Sequence, residues 1–156
     1  MFEEALATAL ELCRALEAEV ERARREREVL RTLDSERLFA SAAARAAFNA
    51  EVARLESDLA SALARAAGAL GLSEVSLQRL AVRAPEAAAS LSKVLADIRA
   101  LAGALAELDR LNLMLAGRAL ACVQGYLTAL NPAPSAYDRR GARSSAPSLS
   151  ALSSKV

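Results

Sequence analysis

LSKVLADIRALAGALAELDRLNLMLAGRALACVQGYLTALNP, residues 91–132, is the stretch on which the fold turns. Leu91, Val94, Ile98, Leu101, Leu105, Leu108, Asn112, Leu115, Ala119, Cys122 and Tyr126 recur at alternating spacings of three and four. That is the seam of a long helix packed against other helices. Pro85 suits the first helical position, with Glu86 favourable in the first turn. Asn131 precedes Pro132 and is pushed out of helical geometry, so the helix is predicted over about 85–130. At about 1.5 Å per residue it is roughly 65–70 Å long.

Working outward, residues 2–33 carry a second unbroken seam. It runs Phe2, Leu6, Ala9, Cys13, Leu16, Val20, Ala23, Arg27 and Leu30, with Arg27 as its one flaw. Asp34 and Ser35 interrupt it, and either side chain can cap a new helix. So short a break makes the next helix, about 35–67, fold back antiparallel. Its seam is Phe48, Val52, Leu55, Leu59, Ala62 and Ala66, and Gly68 and Gly71 are its stop signals. A short helix is expected at about 74–82, capped by Ser73. Residues 131–156 are rich in Pro, Ser, Gly and Ala without an apolar period, and read as a flexible tail. The expected architecture is all-α. A helical hairpin and one long C-terminal helix form an elongated three-helix bundle over 1–130, followed by the tail.

Composition agrees. The 156 residues are 54% hydrophobic but only 3% aromatic, with 25% charged, six Gly and four Pro. This is the profile of long helices, not of a sheet protein. Net charge is +1, so no long-range field recruits nucleic acid or an anionic membrane. The arginines of ERARREREVLR, residues 21–31, alternate with Glu21, Glu26 and Glu28 and read as a solvated, self-neutralised face. Cys13 and Cys122 fall on apolar seams and read as small buried hydrophobes in a reducing compartment. The acidic N-terminus lacks the positive charge of a signal peptide, and a cytoplasmic location is expected.

Enzymatic chemistry finds no support. There is no histidine, and hence no Glu-x-x-His pair for a di-iron bundle. No glycine-rich phosphate loop or nucleophile elbow is present. The carboxylates are expected on outward faces as ordinary solvated acids. Neither a catalytic residue nor a cofactor is predicted.

The long helix nevertheless changes character along its length. One place after the main seam, its first half carries Ser92, Leu95, Arg99, Ala102, Ala106 and Asp109. Its second half carries Leu113, Ala116, Leu120, Val123, Leu127 and Leu130. A second apolar stripe therefore starts near residue 113. With the first two helices near 50 Å, the final dozen or so residues of the third are expected to run past them by about 20 Å. An exposed apolar stripe marks a binding surface, here for an amphipathic partner helix. Homodimerisation through the same stripe is an alternative, and is compatible with it if the partner displaces a dimer. Membrane insertion is opposed by Arg118 in the middle of the segment and by Asn112, Gln124 and Thr128 around it. Asn112, polar on an apolar seam, is expected to fix register by hydrogen bonding inside the bundle, with partner contact the other reading.

Residues 105–130, LAELDRLNLMLAGRALACVQGYLTAL, followed by AYDRRG at 136–141, resemble the FlgN family of flagellar export chaperones. Asn112 and Leu115 match the family's asparagine-rich segment N-x-x-N-G-x-L-[LI], with Asp109 and Leu113 departing from it. Tyr137 and Gly141 match its later Y-[GD]-x-x-G motif. The resemblance covers roughly residues 73–141. It implies clients, namely the C-terminal helical segments of hook–filament junction proteins, held unpolymerised and brought to the flagellar type III export apparatus. The stripe from Leu113 to Leu130 then becomes the client surface, and Tyr137, followed by Asp138, the contact to the export gate. A coiled-coil scaffold without an export client remains the alternative.

Overall fold

The computed structural model describes residues 2–72 and 76–130, and the backbone of 136–137 and 143–144. The elements in chain order are α1 (Phe2–Thr32), α2 (Ser35–Ala69), α3 (Leu77–Arg83), α4 (Pro85–Leu130), β1 (Ala136–Tyr137) and β2 (Arg143–Ser144). The helical expectation is met, with each long helix within two residues of its predicted bounds. α3 begins later than predicted, after Ser76, and the proposed cap Ser73 lies outside the described residues. So does most of the predicted flexible tail. The exception is the antiparallel pairing of Ala136 with Ser144 and Tyr137 with Arg143.

The turns follow from local chemistry. α1 ends at Thr32, and Leu33 takes a left-handed conformation, φ 53°. Asp34 then caps α2, its Oδ1 accepting from the Arg37 amide at 3.1 Å. At the other end of α2, Gly71 sits at φ 69°. The Leu72 amide donates to the Ala67 carbonyl at 3.0 Å and that of Gly71 to Gly68 at 3.0 Å. These two bonds are a Schellman motif, and they are why the helix stops there.

Packing divides the chain into two units, Met1–Leu115 and Ala116–Val156. The first has a core drawn from three helices: Ala5, Ala9, Leu12, Cys13, Leu16, Val20 and Ala23 from α1, Leu55, Leu59 and Ala62 from α2, and Leu91, Val94 and Leu105 from α4. Leu80 anchors α3 and is fully buried. Large side chains sealed this way contribute about 1.5–3 kcal/mol each. α1 buries more than its predicted seam because it faces two neighbours. Ala5, Leu12 and Glu19, spaced by seven, form a second inward row beside Ala9, Leu16 and Ala23. In the second unit, every residue of α4 from Leu120 to Leu130 is exposed.

Two expectations are overturned. Cys122 is exposed, not buried, as is every residue of α4 from Leu120 to Leu130, whereas Cys13 is buried. Nor are all carboxylates solvated on outward faces. Glu19 is only 3% exposed, and Arg22, Glu26 and Arg27 of the supposedly solvated run are half-buried. The second inward row of α1 carries Glu19 into the bundle.

Candidate functional site

Two features adjoin on α4. The first is a polar layer where α1, α2 and α4 meet. Arg22 donates from Nε to Glu19 Oε2 at 2.8 Å, and from Nη1 to the Ser41 carbonyl at 2.9 Å. Arg45 of α2 reaches the other oxygen of Glu19, Nε to Oε1, at 2.9 Å. Arg45 also clasps Asp109 of α4 with both terminal nitrogens, at 2.5 and 3.2 Å. Its guanidinium carbon lies 6.0 Å from the centroid of the Phe48 ring. Glu19 is thus a buried carboxylate held between two arginines, the arrangement that makes burial of its charge tolerable.

Asn112 completes the layer. It is 5% exposed, and its Nδ2 donates to the Ala23 carbonyl at 2.8 Å and to Glu26 Oε2 at 3.2 Å. Glu26 in turn accepts from the Ser41 hydroxyl at 2.8 Å. Both groups facing Nδ2 are acceptors, so only the NH2 end of the amide fits there. Asn112 is also the last buried residue of α4.

The second feature begins at the next residue. Leu113, Leu120, Val123, Leu127 and Leu130 are between 40% and 75% exposed, and Ala116 among them is half-buried. At 100° per residue these six share one face of the helix, with Arg118 on the opposite face. Tyr126 is exposed on its flank, and Met114 is exposed on the Arg118 side of the helix. An 18-residue window of α4 has a mean hydropathy of 1.3 and none of it is buried, so length and composition alone would let it cross a membrane. The mid-segment guanidinium of Arg118 opposes that use. Residues 111–130 hold no other charge, so apolar burial, not electrostatic steering, must drive whatever binds there.

Reasoning from sequence missed the polar layer. Its signal was present in the spacing Ala5, Leu12, Glu19, which continues an apolar row with an acid. Of the tail motif, Tyr137 lies in β1 opposite Arg143, while Asp138 lies outside the described residues.

Comparison with protein families matches residues 1–145 to the family described as FlgN protein. The chain belongs to the FlgN family. Searches of curated proteins and of solved structures return no match. The family match extends well beyond the quoted motifs and includes the α1–α2 hairpin, whose sequence alone showed only helical periodicity. FlgN proteins are flagellar export chaperones, and this places the chain among proteins that bind other flagellar proteins.

Proposed function

We propose that this FlgN protein is a cytoplasmic flagellar type III export chaperone whose client surface is the α4 face formed by Leu113, Ala116, Leu120, Val123, Leu127 and Leu130. Its clients are the amphipathic C-terminal helices of hook–filament junction proteins, and Tyr137 with Asp138 contacts the export gate. The observation that carries this reading is the solvent exposure of one continuous apolar stripe that starts at the residue after the last buried position of α4. An amphipathic helix laid along it buries the large side chains at about 1.5–3 kcal/mol each. Association and ordering offset several kcal/mol of that sum. The remainder corresponds to reversible binding, which a chaperone that must release its client requires.

Leu120→Asp combined with Leu127→Asp tests the surface. Both side chains face solvent, so circular dichroism should stay that of the parent. Co-purification of a hook–filament junction protein should fall by at least about a hundredfold, the equivalent of two lost leucine contacts. Loss of the helical signal would make the stripe part of the core, and retained co-purification would remove it from the interface. A coiled-coil scaffold without a client predicts no co-purification even for the parent chain.

A further inference from the structure

One residue of the α1 seam is left unanswered by the fold. Arg27 is half-buried, and its Nη2 is sealed from solvent with no acceptor among the described residues. The other half-buried arginines among those residues, Arg22 and Arg45, both hold Glu19. Within the run 21–31, Arg24 and Arg31 pair with Glu21 and Glu28, and Arg25 donates to the Glu21 carbonyl at 3.2 Å. A guanidinium held unpaired against a bundle interior costs free energy that an apolar side chain at the same seam position would not. Its place on the molecule follows from its neighbours. α1 and α4 run in the same direction, since Phe2 and Leu6 share a groove with Glu86 and Leu91, and farther along the Ala23 carbonyl accepts from Asn112. Arg27 is one turn past Ala23 on the same face of α1, so it stands level with the turn of α4 that follows Asn112. That turn opens with Leu113, the first residue of the stripe. Asn112 does not serve the guanidinium. Its Nδ2 is taken by Ala23 and Glu26, and its Oδ1 is itself sealed without a donor.

We infer that Arg27 is the polar anchor of the client surface, and that the client helix it selects carries a carboxylate beside its apolar face, at the end laid against Leu113. The inference rests on the reading of the stripe as that surface and names what the partner must contain. A stripe of leucine, alanine and valine accepts any apolar helix and tolerates a slip of one turn. A single charged contact at one end fixes register and direction. The client carboxylate supplies the paired acceptors that the chain itself withholds, in the geometry a guanidinium matches best. The half-exposed side chain turns outward about its own stem to meet it. The chain without client is accordingly less stable at this position than an apolar residue would make it, a pattern common where a site must recognise something else.

Arg27→Leu separates this role from a purely structural one. In urea unfolding its midpoint should match or exceed that of the parent, because no internal pair is lost. Co-purification of the junction protein should nevertheless fall by about tenfold or more, and the weakening of capture by added salt should flatten. Each Glu or Asp in the C-terminal helix of the junction protein is then changed in turn to its amide. One such change should reproduce the loss against the parent chain and add nothing to it against Arg27→Leu, as a direct pair requires. If Arg27→Leu does not fold by circular dichroism, Arg27→Met carries the same comparison. A lower midpoint would mean that the guanidinium is paired within the chain, and overturns the inference. Additive losses for every acid also overturn it. Full capture of the junction protein by Arg27→Leu defeats the anchor alone and leaves the stripe as the client surface. A parent chain that captures no junction protein defeats the client reading, and the anchor with it.

Discussion

Asn112 is placed with the NH2 end of its amide between two acceptors. The Ala23 carbonyl and the Glu26 carboxylate both face Nδ2, so Asn112→Asp would set an acceptor against two acceptors in a site 5% exposed to solvent. A loss of about 3 kcal/mol in urea unfolding is expected at neutral pH. Burial raises the pKa of the introduced acid above its unfolded value of about 4. The stability it retains as a neutral acid is therefore present below about pH 4 and is lost as pH rises, so the gap to the parent should narrow in acid. The two cysteines give a second residue-scale test. Burial, then the nearby Glu17 and Asp97 charges, pushes the Cys13 thiol above its ordinary value. A folded pKa above the unfolded one contributes stability that is present below the unfolded value and lost as pH rises through the folded one. In native protein, a thiol reagent should modify Cys122 quickly and Cys13 only after denaturant is added.

Each end of the hairpin helices is set by backbone conformation. Leu33 occupies the left-handed region at φ 53° while its side chain is 46% exposed, so it carries strain with little burial to offset it. Leu33→Gly should raise the unfolding free energy by about 0.5–1 kcal/mol. Gly71, at φ 69°, is the reverse case. A Cβ there meets no atom within 4 Å, so Gly71→Ala should cost about 1 kcal/mol through backbone strain alone. Thermal melts of both variants read the difference in sign, and equal shifts would show that the two turns relax freely. Elements were the most legible scale. The heptad spacing located α1, α2 and α4, the Asp34–Ser35 break located the start of α2, with Asp34 the residue that caps it, and Pro85 and Pro132 bounded α4. The start of α3 was less legible because two turns with Leu77 and Leu80 provide too short a period to read.

Within unit Met1–Leu115, α4 contributes Leu91, Val94, Leu105 and Asn112 to a shared interior, while in the second unit its residues Leu120–Leu130 bury nothing. Stability should follow this division. Amides of 91–112 should exchange with solvent near the rate set by global unfolding, and those of 120–130 by local fraying, orders of magnitude faster in dilute protein. Hydrogen exchange read by mass spectrometry checks this, and equal protection along α4 would show that the terminal turns are held by something other than a partner. Adding a client should slow exchange in the terminal turns selectively.

What the sequence determined by itself was periodicity. Spacings of three and four dictate helices, and the shift from Ser92, Arg99 and Asp109 to Leu113, Leu120 and Leu127 marks a second apolar stripe. Tertiary structure alone decided which apolar and charged groups met a neighbour. Cys13 and Cys122 occupy equivalent seam positions, yet one is buried and the other exposed. Glu19 resembles the solvated glutamates around it, yet lies between Arg22 and Arg45. Local sequence sets which way a side chain points around its own helix axis, but burial depends on whether another helix stands at that level, and that is fixed only when the helices are packed.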